Sequence, residues 1–359
     1  MSNHPTWFIP QNKTLSSSKY INICDSDGHV VGKISAPTLK TPDLGPRLYS
    51  FGAFSDIHVT KGTSSMAKFE KALKYMNEVE HVLFTCISGD LVGAGTEQQL
   101  LDYGEAVQLY SPNVPVYACT GNHDVENTAV APLTSLDSTQ RFYGQDLYYS
   151  FTQGSDVFIM FSMSAWPGKT GAIFTSEAIN WLYQTLEENR DKRCFVFEHC
   201  PHFGSVNNAV TYGNSGTVTG WPPPTGNLLS GSNTDTGASF RNLMSHYHNV
   251  IWFHGHTHME FQYQEFDSKL NYDNMFGCHS IHIPSLSQGR EKNADETGYI
   301  FTGEESTGYV VDVYEKHIVL RGRDFVADEF VPFATFCLDT TLQTIQPGTF
   351  SDPAGNIRV

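Results

Sequence analysis

The sequence has no apolar run approaching the ~20 residues that cross a bilayer, and its first residues, Met1-Ser2-Asn3-His4-Pro5-Thr6, show no basic stretch leading into an apolar core. The expectation from those absences is a soluble, cytoplasmic chain. Positive charge is scarce, with 22 Lys and Arg against 38 Asp and Glu, a net charge of −16. Such a balance repels nucleic acid at long range and offers no hold on an anionic membrane. The cysteines, Cys24, Cys86, Cys119, Cys194, Cys200, Cys278 and Cys337, are scattered, odd in number and without a CxxC pair. That argues against a disulfide framework and for reduced, packed thiols. No repeat of solenoid length is present.

What is there suffices for a large core: 359 residues with 40% hydrophobic content. Nothing in the pattern demands two folding units, and the size allows one large domain with attachments. Residues 1–46 read as an appended arm or hairpin, with an alternating piece at Tyr20-Ile21-Asn22-Ile23 and a turn at Asp25-Ser26-Asp27-Gly28. A domain is expected over 47–330 and an extension over 331–359. Strand-like and helical patterns alternate from Leu48 onward: strands at Leu48–Phe54, Val82–Ile87 and Val114–Cys119, helices at Ser64–Glu80 and Thr96–Tyr110. That order predicts a parallel sheet with right-handed crossovers. In the first helix Met66, Phe69, Leu73, Met76 and Val79 fall on one face, and Ser64 or Ser65 can cap it. Further strands are expected at Tyr148–Phe151, Val157–Phe161, Cys194–Phe197 and Val250–Phe253, with a helix at Ser176–Arg190 between them. The stretch 203–238, rich in Gly, Asn, Ser, Thr and Pro, has no period. Lying between His199 and the strand that precedes His256, it is placed as a loop insertion overhanging whatever those residues form.

Five polar clusters punctuate the pattern: Asp56-Ile57-His58, Gly89-Asp90, Gly121-Asn122-His123-Asp124, His199-Cys200-Pro201 and Gly255-His256-Thr257-His258. Four of them follow an apolar strand-like run, which places them where strand ends open onto one crevice. From His58 to Asp90 is 32 residues, and from Asp90 to Asn122 another 32, the length of one strand-helix-strand unit. Asp56 and His58 straddle one residue, as do His256 and His258, so in extended backbone each pair would point to one side. Oxygen and imidazole donors without thiolate suit manganese, iron or zinc. Seven such donors exceed one tetrahedral site, and a carboxylate at Asp90 could bridge two ions about 3.5–4 Å apart. Two divalent ions against Asp56 and Asp90 leave a surplus of two positive charges, enough to balance a hydroxide and a phosphate monoanion.

The ordered set DxH, GD, GNHD, a His before Pro, and GHxH, spanning about Leu48 to His258, resembles the calcineurin-like metallophosphoesterase superfamily. The resemblance implies an α/β fold, a calcineurin-like four-layer sandwich of two mixed β-sheets flanked by helices. It also implies a centre of two divalent metal ions (Mn, Fe or Zn). By the family's pattern Asp56, His58 and His258 would bind one ion, Asn122, His199 and His256 the other, and Asp90 would bridge them. His123 would contact the phosphate or protonate the leaving oxygen, and Asp124 would orient its ring. His202 and His254 are read as neighbours of ligands rather than catalytic groups, Cys200 as a packed thiol, and His279 and His282 as sheet members. Trp221 and the prolines after it form either a substrate rim or an ordinary surface loop.

The implied activity is hydrolysis of a small phosphate ester. The set is similar to the branch that contains bacterial cyclic-nucleotide phosphodiesterases, since DxH opens it and Leu91 and Val92, not Tyr, follow Gly89-Asp90. Phosphodiesters come first and phosphomonoesters second. From another class, a non-catalytic interaction scaffold of the same fold stays open, although retention of both Asn122 and His123 gives such a scaffold no chemical advantage.

Overall fold

A computed structural model of the chain describes residues 44–125, 147–163, 173–201, 243–244, 246–261, 278–292, 299–303 and 305–341, with short strands at 7–8, 20–24, 30–35, 234–236, 272–273, 350–351 and 357–358. The principal elements, in chain order, begin with β1 (Tyr49–Phe54), α1 (Ser64–Tyr75), β2 (Thr85–Ser88), α2 (Glu97–Tyr110) and β3 (Val116–Cys119). They continue with β4 (Tyr148–Gln153), β5 (Asp156–Phe161), α3 (Ser176–Glu188), β6 (Cys194–Phe197), β7 (Val250–His254) and β8 (His279–His282). The last three are β9 (Thr307–Val313), β10 (His317–Asp324) and β11 (Glu329–Asp339).

Two mixed sheets result. The first, seven-stranded, runs Trp7–Phe8, β11, β10, β9, β1, β2, β3, with β1 to β3 parallel and the rest added antiparallel. The second, six-stranded, runs Tyr272–Asp273, β8, β7, β6, β5, β4, with β5 to β8 parallel between antiparallel edges. The strand-helix-strand order therefore builds two parallel segments in two sheets rather than one continuous parallel sheet. Strand β11 straddles position 330, and Tyr20–Cys24 pairs antiparallel with Val30–Ser35.

Side-chain alternation makes the layers. In β5, Phe158 and Met160 face the first sheet while Val157, Ile159 and Phe161 face α3, where Ile179, Leu182 and Leu186 cover them. On the far side of the first sheet, Phe54, Ile87, Ala118 and Val310 meet Phe69 and Leu73 of α1 and Leu100 and Tyr103 of α2. The molecule is thus helix, sheet, sheet, helix. The middle layer is aromatic: Phe51 sits 5.2 Å from Phe158 and 5.4 Å from Phe195, edge to face, and Phe197 stacks on Phe253 at 4.8 Å. At the strands' N-terminal end a buried Arg193–Asp156 pair, with contacts of 3.0 and 2.7 Å, and the Tyr49 hydroxyl, which donates to Asp156 at 2.6 Å, fasten the sheets together. The opposite, C-terminal end is left to the polar clusters. Because Phe51 is fully buried at the centre of this layer, Phe51→Ala is expected to cost about 3–5 kcal/mol, read as a fall in the urea unfolding midpoint.

Two local expectations are corrected. Helix α1 begins at Ser64, but its cap position is Thr63 and no side chain bonds there, so neither Ser64 nor Ser65 caps it. Phe69, Leu73 and Met76 are buried as the period requires, yet Val79 is 61% exposed. The cause is a π-turn at Met76–Glu80, whose wider winding rotates Val79 away from the stripe before His81 ends the helix in a left-handed conformation. The described cysteines Cys86, Cys119, Cys194, Cys200, Cys278 and Cys337 are free and buried, as packed thiols should be. No helix among the described residues is long and apolar enough to cross a membrane. Most of 203–238, including Trp221, lies outside the described residues, as does His202; Thr234–Thr236 pairs antiparallel with Ile173–Thr175.

Candidate metal centre

The clusters come from both sheets. Asp56 and His58 follow β1, Asp90 follows β2, and Asn122 and His123 open a single helical turn, Asn122–Val125, after β3. His199 follows β6, and His256 and His258 follow β7. The crevice is therefore the line along which the C-terminal edges of two sheets meet.

The expectation that extended backbone aligns the paired residues fails. Asp56, His58, His256 and His258 have φ of 51°, 43°, 72° and 60°, and Asp90 has 50°, all left-handed. Of the seven non-glycine residues with positive φ among those described, five are candidate ligands. Such backbone costs about 1–3 kcal/mol per residue and persists only where the surroundings over-determine it. Here they do. Asp56 and His58 donate their N–H groups to the carbonyls of Gly89 and Asp90 at 3.1 and 2.9 Å, and the His256 N–H donates to Asp56 Oδ2 at 2.9 Å. Gly89 has φ of +82°, and a Cβ there would meet the His199 ring at 2.6 Å, so the GD cluster needs its glycine.

The donor atoms fall into two groups that share one residue: Asp56, His58, Asp90 and His258, and Asp90, His199 and His256. Within the first, His258 Nε2 lies 3.0 Å from Asp56 Oδ1 and 3.1 Å from His58 Nε2, and His58 Nε2 lies 3.7 Å from Asp90 Oδ2. Within the second, His199 Nε2 is 3.2 Å from Asp90 Oδ2. Asn122 joins it through Oδ1, 2.8 Å from His256 Nδ1. All seven residues of the sequence reading are thus brought together, each buried or nearly so.

The donor set fits divalent cations on three observations. His199 donates Nδ1–H to the Ser88 carbonyl at 2.7 Å and His258 donates Nδ1–H to the Gln288 carbonyl at 2.9 Å, which turns each Nε2 lone pair inward, the usual arrangement for a metal-bound imidazole. Asp56 Oδ1 and His199 Nε2 are buried and make no hydrogen bond in the protein, as befits atoms facing a cation. Charge is the third. Burial and neighbouring rings push His58 down to about 4 and His256 down to about 3, so both are neutral donors at neutral pH. Burial opposes ionisation of Asp56, yet His258 and His199 hold it well below the usual carboxylate range. Against its own burial, His199 is raised to about 10 by Asp90 and Asp56, a position a cation can occupy in place of the proton.

His123 lines the same cavity. Its Nδ1 meets the Gly93 carbonyl at 2.9 Å, and its ring stands edge-on to His58 at 4.8 Å. The carbonyl of Gly93, not Asp124, therefore sets the His123 ring, a correction to the role given Asp124. Asp124 instead accepts three main-chain N–H groups, from Gly121 at 2.7 Å, Leu91 at 3.2 Å and Val92 at 3.0 Å. It staples the GD loop to the GNHD turn. Burial and the neighbouring Asp90 push its carboxyl up to about 7 against the pull of those donors. Asp124→Ala would orphan all three donors, and a loss of about 3 kcal/mol or more is expected in chelator-treated protein by urea unfolding. His254 is buried with Nε2 3.0 Å from Ser280 Oγ, and His282 is buried in β8.

The cavity over the centre has a volume of about 530 Å³. Sequence reasoning missed Lys68, whose ammonium donates to the carbonyls of Ser287 and Gly303 in the cavity wall, and Arg290 and Phe301, which line it. For Lys68 there was a signal, a charged residue beside Phe69 on the stripe side of α1; for the other two no periodicity pointed to the site.

Comparison with known proteins gives a match to the family model for calcineurin-like phosphoesterase over residues 49–260. A probable cyclic nucleotide phosphodiesterase of Moraxella catarrhalis (strain BBH18) is 25% identical over 158 residues, 41% of this chain and 55% of that protein. Serine/threonine-protein phosphatase CPPED1 of Homo sapiens is 26% identical over 145 residues, 37% of this chain and 45% of that protein. The chain thus matches about half the length of these curated relatives. Among solved structures, GAP50, the anchor in the inner membrane complex of Plasmodium, aligns with a TM-score of 0.49 at 16% identity, covering 81% of this chain and 88% of that one.

Proposed function

On the premise that the chain belongs to the calcineurin-like phosphoesterase family, we propose that it hydrolyses small phosphate esters, phosphodiesters before monoesters, at a centre of two divalent ions. The observation that carries this reading is the sharing of Asp90 between two donor groups. Asp56, His58 and His258 would hold one ion and Asn122, His199 and His256 the other, with Asp90 common to both. Manganese, iron and zinc all suit donors of this kind. When bound, such ions supply Lewis acidity, drawing charge from phosphoryl oxygens and acidifying water.

The chain's own residues supply the rest. With Nδ1–H given to the Gly93 carbonyl, the other ring nitrogen of His123, Nε2, is the one that can carry a transferable proton, and its place in the cavity wall lets it give that proton to the departing alcohol oxygen. Asp124 fixes the two turns that carry Asp90 and Asn122. The carboxylates of Asp56 and Asp90 would offset two of four cationic charges, and the remaining two would balance one hydroxide together with an ester of one negative charge. That favours diesters.

The test is turnover of bis-p-nitrophenyl phosphate against p-nitrophenyl phosphate by the full chain with manganese. A higher kcat/KM for the diester is expected. A strong monoester preference would reverse the order, and inertness toward both after manganese, iron and zinc supplementation would favour the scaffold reading.

A further inference from the structure

Residues 285–290 hold the first donor group from outside. Ser285 Oγ donates to the Asp56 carbonyl at 2.9 Å, and the Ser287 N–H donates to the same oxygen at 3.2 Å. The Leu286 N–H donates to the Ser55 carbonyl at 3.0 Å and the Arg290 N–H to the His258 carbonyl at 2.8 Å, while the Gln288 carbonyl accepts Nδ1–H of His258 at 2.9 Å. This segment therefore bridges the ends of β1 and β7, one from each sheet. It braces Asp56 and His258 in the left-handed backbone that neither would keep unsupported.

Helix α1 in turn holds the segment. Lys68, buried in α1, sends its ammonium to the carbonyls of Ser287, Gly303 and Glu305 at 2.7, 2.9 and 2.6 Å. A lysine ammonium offers three donors around one charge, which is what three converging carbonyls require. One turn earlier on the same face, Ser65 Oγ donates to the His58 carbonyl at 2.9 Å. Asp56, His58 and His258 are thus all tied to the first two turns of α1, directly or through 285–290. The second group is hung differently: His199 gives Nδ1–H to the Ser88 carbonyl, the His256 ring meets Asn122 Oδ1, and Asp124 secures the turn that carries Asn122. None of those bonds involves α1 or 285–290.

Resting on the two-ion reading, we infer that Lys68 is a positioning residue for one ion and not for the other. By fixing 285–290 it sets the backbone of Asp56 and the ring of His258, and so governs affinity at the position those residues form with His58. Without it the segment relaxes, and the ends of β1 and β7 relax with it, while Asn122, His199 and His256 keep their own supports. The sign separates geometry from charge: loss of a nearby positive charge by itself would tighten both ions, so weaker binding reports lost positioning.

Manganese titration of the chelator-treated full chain, with free Mn²⁺ read by electron paramagnetic resonance, tests this apart from turnover. The parent is expected to bind two ions. Lys68→Met keeps the apolar stem and removes the donors; it should weaken one ion by about 10-fold or more and leave the other within about threefold of the parent. Ser285→Ala, which cuts the bracket at its other end, should do the same, so the result does not hang on one variant. With Asn122→Ala added, Lys68→Met should weaken both ions, because the two changes fall on different groups. Variants that bind manganese as the parent does, an equal loss at both ions, tighter binding in Lys68→Met, or a double variant that weakens one ion only would each overturn the inference. Two ions in the parent with no effect of either variant defeats only this inference; a parent that binds one ion or none defeats the two-ion reading on which it rests.

Discussion

Asp90→Asn is expected to lower phosphate-ester hydrolysis by about 1000-fold or more and to cut the bound metal below the parent's content. Asp90 is the one side chain common to both donor groups, so its loss reaches both positions at once. The substitution is nearly isosteric. Asn can still accept the His123 N–H through its oxygen, as Asp90 Oδ1 does at 2.8 Å, which spares the turn after β3. What disappears is the charge on Oδ2, the atom 3.2 Å from His199 Nε2 and 3.7 Å from His58 Nε2, and an amide N–H₂ would turn its positive end toward the cations. Metal content by elemental analysis and kcat on the better p-nitrophenyl ester read the result. In chelator-treated protein the unfolding midpoint should stay close to the parent's, which separates a metal defect from a folding defect. Full metal content with activity within tenfold of the parent would remove Asp90 from the bridging position.

That such a variant could be chosen from the sequence reflects what a sequence encodes strongly. The apolar runs that become β1, β2, β6 and β7 bury both faces, and the polar cluster that follows each marks the point where the strand leaves the core; Phe197 before His199 and His254 before His256 show the pattern. The assignment of strands to sheets was less legible. Strands β2 and β6 read alike because both are covered on both faces, and only long-range register, such as Val311 of β9 opposite Phe51 of β1, decides the partner. Left-handed backbone at Asp56, His58 and Asp90 was hidden too, since Asp and His do not announce it as Gly does. It is imposed by hydrogen bonds between loops of neighbouring strands. The π-turn at Met76–Glu80 leaves no mark in a helical period. Arg290 and Phe301 escaped because cross-strand pairing brings them to the cavity wall, which no local pattern reports.

His123→Ala is expected to keep the parent's metal content and to slow turnover by about 100- to 10,000-fold on esters with poor leaving groups. Its neighbours in the sequence make the case a sharp one: Asn122 offers Oδ1 to the donor set, 2.8 Å from His256 Nδ1, whereas the His123 ring is held by the Gly93 carbonyl. Asn122→Ala should therefore weaken metal binding, while His123→Ala should leave it intact. The leaving group discriminates further. p-Nitrophenolate departs without a proton, so general-acid assistance matters little for p-nitrophenyl esters and much for alkyl esters, whose alkoxide must be protonated as the bond breaks. The variant's deficit should accordingly be at least tenfold larger on an alkyl diester than on bis-p-nitrophenyl phosphate. A uniform deficit across leaving groups would instead assign His123 to phosphate contact, and a loss of metal in the variant would place its ring among the ligands. The hydrogen bond that the half-buried ring gives to the Gly93 carbonyl lies at the cavity wall, where water can take its place in the variant.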